Sequence, residues 1–275
     1  MLKKLIKYDM RALSKTVLPV MLFVFVLMIA VGALFGTLGI IENVAGGEFL
    51  MLLIPAAIGI LTLATVTGLA LADILIYARY YKNLMTDEGY LSFTLPVTGN
   101  QHLCSKLITA IIWFVIRAVI TALGIAAALF VAALISGSAW LFDFIEFAIK
   151  NILPSAFTYL SGEGAECIPI IGVIIVLGCI YGLFNIFSVY YSLTVGARSG
   201  KSKLAIAILV LVAVNIVANI IMSAVQIPFN AINTADLNYF SEFLISVLPA
   251  LLTYTAAAVY LFVSTEVLIT NKLNI

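Results

Sequence analysis

Charge is what this sequence has least of. Its 275 residues include 14 Lys and Arg, 13 Asp and Glu and one His, so charged side chains make up 10%, where soluble domains carry about 25%. The hydrophobic share is 64% and the mean hydropathy +1.21. A soluble enzyme, a nucleic-acid binder and a disordered chain are excluded, because none could keep so much apolar surface in water. Cysteine is also scarce: Cys104, Cys167 and Cys179 fall at different depths of the expected topology, so no disulfide framework is expected.

Reactive groups are equally few. The single histidine, His102, belongs to no H-E-x-x-H motif. There is no G-x-S-x-G and no cysteine pair at metal spacing. His102 and Cys104 are two apart, which on a helix puts them on different faces. They read as a solvated pair in a loop rather than a metal site. The stretch GARSGKSK at 196–203 has three residues between its glycines, whereas a phosphate-binding loop needs four, a strand before it and a helix after it. These residues read as positive charge at a membrane face. The expectation is no catalytic residue, no metal and no cofactor, with any ATP hydrolysis left to another chain.

What the sequence has is long apolar runs. A span needs roughly 20 residues to cross about 30 Å of hydrocarbon. Six stretches meet this, near 17–40, 49–78, 107–135, 168–196, 204–226 and 243–269. The first lacks a small-residue cleavage pattern and reads as a retained span. The expected fold is an all-α membrane protein, a single transmembrane domain over 1–275. Its further parts are an N-terminal interfacial helix at 1–16, a loop at 79–106 and an outer segment at 136–167.

Orientation follows from the basic residues. Lys3, Lys4, Lys7, Arg11, Lys15, Arg79, Lys82, Lys106, Arg198, Lys201, Lys203 and Lys272 are twelve of the fourteen, and all fall on the side of the N-terminus. Glu42, Glu48, Asp143, Glu146, Glu163, Glu166, Asp236 and Glu242 fall on the other. This predicts an even number of spans and both termini in the cytoplasm. In residues 1–16, Leu2, Leu5, Ile6, Met10 and Leu13 recur at helical spacing among Lys and Arg. That pattern predicts a basic amphipathic helix lying in the inner headgroup layer before the chain turns into the first span.

The loop 79–106 reads RYYKNLMTDEGYLSFTLPVTGNQHLCSK. Its Tyr, Phe and Asp-Glu content is too rich for a plain connector. Pro96 stops whatever precedes it, and Thr98 with Gln101 has capping-box spacing, so a helix is predicted to begin at Thr98. Exposed aromatic and aliphatic groups before it suit a docking surface.

The stretch YYKNLMTDEGYLSFTLPVTGNQHLCSKLITAIIW resembles the loop after the second span in bacterial ATP-binding-cassette (ABC) type-2 exporter permeases. The resemblance covers about 35 residues and is otherwise one of topology. It implies a permease subunit of the bacterial cytoplasmic membrane. Its partners would be a separate ABC ATPase subunit and a second permease copy or paralogue, with no nucleic acid involved. Carried over by position, the ATPase contact falls on Thr86, Asp87, Glu88, Gly89, Tyr90 and Phe93. The chain departs from the family pattern at Arg117, and in having its longest outer segment between spans three and four.

Polar residues inside the spans form stripes. Tyr181, Asn185 and Ser188 continue to Ser192 on one helix, and Asn215, Asn219 and Ser223 to Gln226 on another. They fit either interhelical hydrogen bonds or the lining of a translocation path. Arg117 lies eleven residues beyond Lys106, roughly 16 Å into the membrane. A guanidinium there is costly unless paired. Asp73 and Glu266 are the acids within reach, and Asp73 is favoured because spans two and three are consecutive. Two other classes compete with an exporter: an ion-coupled secondary carrier, and a membrane-embedded sensor or immunity protein for antimicrobial peptides.

Overall fold

The structure, a computed structural model, describes residues 2–41, 48–86, 99–136, 150, 167–199, 202–232 and 239–273. Six helices occur among the described residues: α1 (Leu2–Ile41), α2 (Glu48–Met85), α3 (Gly99–Ser136), α4 (Cys167–Ala197), α5 (Lys203–Asn230) and α6 (Tyr239–Leu273). All six are long and apolar enough to cross a membrane, and no strand occurs among the described residues. The chain is a multi-pass membrane protein. Hydrocarbon offers no partner for backbone N–H and C=O groups, so each apolar run closes its hydrogen bonds within itself. Pro19, Pro55 and Pro249 are accommodated inside these helices.

The expected turn after residue 16 is absent. Residues 2–16 are helical, but they run unbroken into the first span as one helix of 40 residues. The reason lies in the buried row Leu13, Val17, Met21 and Val24, which carries one packed face straight across the expected boundary. Nothing between 2 and 16 breaks a helix, so the basic segment stands on the span's own axis.

Helix contacts divide the chain into two compact units. The first comprises residues 1–79 and 104–152, and the second 80–103 and 153–275. In the first, a Cβ on Gly32 would meet the backbone of Ala128, and one on Gly36 the backbone of Ala132. Register thus advances in the same sense on α1 and α3, which run parallel. Gly68 meets Val24, with α2 running the other way. The Gly32-x-x-x-Gly36 spacing lets two helix backbones touch where no hydrophobic effect drives helices together. In the second unit α4 packs on α5 and α6, and α5 packs on α6.

At 1.5 Å per residue, α1, α2 and α3 reach about 57–60 Å, twice the hydrocarbon thickness. Given their directions and the positions of Lys3 to Lys15, Arg79, Lys82 and Lys106, all three place basic residues at the same end.

Candidate functional site

Two ion pairs and one aromatic joint occupy the basic half of these helices. The first ion pair was not expected. Asp9 sits in the basic N-terminal stretch, yet its side chain is only 6% exposed. Lys106 Nζ, on the second turn of α3, donates to both of its carboxylate oxygens at 2.6 Å. Arg79 Nε, on α2, stands 3.8 Å from the same carboxylate. One acid therefore ties three helices. Such a pair has lost its hydration, and removing one partner strands the other. A signal for Asp9 was present in the sequence. It is the one acid among five cations in residues 1–16, and it falls on the row of Leu2, Leu5, Ile6 and Leu13 rather than on the basic faces.

The second pair joins Asp73 and Arg117. Arg117 Nη1 donates to Asp73 Oδ2 between α2 and α3. The guanidinium also lies 5.1 Å from the centre of the Phe114 ring one turn back, within cation–π range. Tyr77, one turn from Asp73, packs against the same ring at 5.9 Å. Arg117 is thus held between an acid and an aromatic face, with about 30% of its side chain still exposed. Glu266, the other acid considered, stands on α6 in the second unit, and its backbone carbonyl accepts from Thr270.

The aromatic joint belongs to the second unit. Tyr80, on the last turns of α2, stacks on Tyr190 of α4 with ring centres 3.9 Å apart and planes 6° from parallel. Its hydroxyl lies 2.8 Å from Thr194 Oγ1. Thr194 gives its own proton to the Tyr190 carbonyl, so the Tyr80 hydroxyl is the donor. Both rings are buried.

Of the expected ATPase contacts, Thr86 is described. It is exposed just past α2, and its hydroxyl donates to the Lys82 carbonyl at 2.5 Å. Asp87, Glu88, Gly89, Tyr90 and Phe93 lie outside the described residues, as does Thr98. Helix α3 begins at Gly99. His102 and Cys104 are not in a loop: both lie on α3, and His102 is only 2% exposed. The helix starts early enough to carry His102 into the packed row that continues through Ser105 and Thr109.

The polar stripes turn inward on their own helices. Asn185 and Ser188 donate to the carbonyls of Tyr181 and Phe184. Asn215, Asn219 and Ser223 donate to those of Leu211, Asn215 and Asn219. Tyr181 makes an edge contact with Tyr254 of α6. None of the six lines the cavity of about 760 Å³ between α4, α5 and α6, which is walled almost wholly by apolar side chains. On α5 the stripe lies across the helix from the wall given to that cavity. In the stretch 196–203, the chain turns at the end of α4 through bonds from Arg198 N to Val195 O and Ser199 N to Gly196 O; Gly200 and Lys201 lie outside the described residues. A Cβ on Gly196 would come within 2.5 Å of the Lys203 carbonyl, so only glycine fits this hairpin.

No protein-family model, no curated protein and no solved structure matches the chain.

Proposed function

We propose that this chain is the membrane-spanning permease subunit of an ATP-driven ABC exporter of the bacterial cytoplasmic membrane. Its 79–106 loop would bind a separate ATPase subunit, with the chain acting as a dimer of two copies or with a paralogue. Both termini and this loop would face the cytoplasm, as the basic bias predicts. The subunit carries out no covalent step. It passes a movement at the loop to the spans, which is a coupling between two sites.

The observation that supports this reading is the mount of the loop. The helices on either side of it continue past the apolar spans and are fastened there by buried polar and aromatic contacts. Lys106 and Arg79 hold Asp9, and Tyr80 is stacked and hydrogen-bonded on α4. A loop that only reversed the chain would need neither. An ion-coupled carrier would need an acid available to its ion; Asp73 is engaged with Arg117, which leaves Glu266 on α6 as the acid that reading would use.

The test is Glu88→Lys in the full chain. Membrane insertion should be unchanged, because the residue lies outside every apolar run. Co-purification of the ATPase and stimulation of its activity should fall. Wild-type levels of both would remove the loop from the mechanism.

A further inference from the structure

The cavity between α4, α5 and α6 is apolar along its length, and two cations stand beyond one end of it. We propose that it holds one acyl chain of an anionic phospholipid, whose phosphate is drawn to Lys203 and Arg198. The inference is independent of any ATPase partner. It requires only that the six helices lie in a bilayer.

Shape comes first. The wall on α5 runs from Leu209 to Val225, so the cavity is about 24 Å long, most of the hydrocarbon thickness. It is a groove open along one side rather than a closed tube, with a volume of about 760 Å³. An extended polymethylene chain is only a few ångströms wide and fits. Ala256 and Ala257 of α6 keep the channel open, and Val214, Val217 and Ile221 of α5 give it an apolar wall.

Charge then picks the headgroup. On α5, Lys203 lies seven residues before Val210 and eighteen before Ile221. At 100° per residue its side chain leaves the helix within about 40° of the cavity-facing row. Lys203 is exposed, about 10 Å below Val210 along the axis, and its flexible stem can follow the groove while the ammonium stays in the headgroup layer. Arg198 comes to the same end from α4. Its Nη2 donates to the carbonyl of Leu268 at 2.9 Å, and Leu268 shares a row on α6 with Ala257 and Leu261. A guanidinium carries five donors, so a second acceptor can be bound beside that carbonyl. Glu266 lies on the opposite face of α6 from this row. Two cations from two helices thus stand on one side of the cavity, roughly 10 Å beyond its lining, at the depth where a phosphate would sit.

The test uses the full chain in nanodiscs of phosphatidylcholine mixed with phosphatidylglycerol. The protein is then transferred to mild detergent, and retained lipids are counted by native mass spectrometry. Wild type should keep phosphatidylglycerol in preference to phosphatidylcholine. Lys203→Gln and Arg198→Gln should each weaken that preference about fivefold, and Lys7→Gln, an exposed cation on α1, should not. Val217→Phe with Ala257→Phe should expel the lipid whatever its headgroup. Equal retention of the two lipids by wild type, or unchanged preference in Lys203→Gln, would overturn the proposal. So would a filled-cavity variant that keeps its lipid but changes oligomeric state, since the groove would then be seating protein. Circular dichroism and elution volume check that each variant folds. If the double Phe variant does not, the exposed Lys203→Gln decides alone.

Discussion

Replacing Lys106 by Met removes the cation that touches both oxygens of Asp9 while keeping a side chain of similar length. The carboxylate is left in its buried place, with Arg79 at 3.8 Å as the nearest cation. Breaking a buried pair by removing one partner costs about 3–5 kcal/mol. Arg79 still compensates in part, so Lys106→Met should fall at the lower end, about 3 kcal/mol. Asp9→Asn removes the carboxylate that Lys106 and Arg79 share, and should cost about 3–5 kcal/mol. The double variant removes both members of the buried pair and leaves Arg79, a third exposed, to water; it should lose only about 2 kcal/mol, far less than the sum. The assay is reversible unfolding in mixed detergent–SDS micelles, read by helical circular dichroism and by fluorescence of Trp113, which is 2% exposed. The cycle should return a coupling of several kcal/mol. Losses that add within about 0.5 kcal/mol would mean that Asp9 and Lys106 do not act as a buried pair.

Three further outcomes are expected. Arg117→Leu should strand Asp73 and lower stability, and adding Asp73→Asn should restore part of the loss; a double variant no better than the sum of the singles would separate the two residues. Gly32→Val forces a side chain into the backbone of Ala128 and should cost about 1–3 kcal/mol, whereas Gly59→Ala, with nothing within 4 Å of the new Cβ, should be neutral or slightly stabilising; the same unfolding assay compares them. Tyr80→Phe keeps the stack on Tyr190 and loses the bond to Thr194, for about 0.5–1.5 kcal/mol, while Tyr80→Ala loses both, for about 3–5 kcal/mol; similar losses in the two would show that the rings contribute nothing.

The spans were legible because each apolar run is long enough to cross and is bounded by polar residues. Helix α3 could be started within one residue from Pro96, Thr98 and Gln101. Where α1 begins was harder to read. A basic amphipathic stretch lying on a membrane and the same stretch continuing a span have one pattern, and only the packing of Leu13 and Val17 separates them. Asp73 could be set beside Arg117 by depth and chain order, since a charge in hydrocarbon has few places to go. Asp9 was hidden by its neighbours, because five cations made the segment look like an exposed basic tail. The Tyr80–Tyr190 stack had no local signal, for its partners are more than a hundred residues apart and aromatics near a membrane edge are common. The cavity was equally hidden. It depends on which faces of three helices fail to meet, and no periodicity of a single helix records that.

The bond between Lys106 and Asp9 spans 97 residues of chain, and that distance sets a clock. At about 5–20 residues per second of synthesis, the partner of Asp9 is made roughly 5–20 s after it. Throughout that interval α1 carries an acid whose final place is buried but whose Lys106 partner does not yet exist, and Arg79 itself follows 70 residues behind it. The carboxylate must therefore wait in contact with water, at the membrane surface or in the insertion machinery. Close packing of α1 against its neighbours cannot be completed at its basic end until α3 has entered. Helix α1, made before α2 and α3, is thereby fixed late, and a slow stretch of translation just before residue 106 would lengthen its exposure to proteases and misassembly.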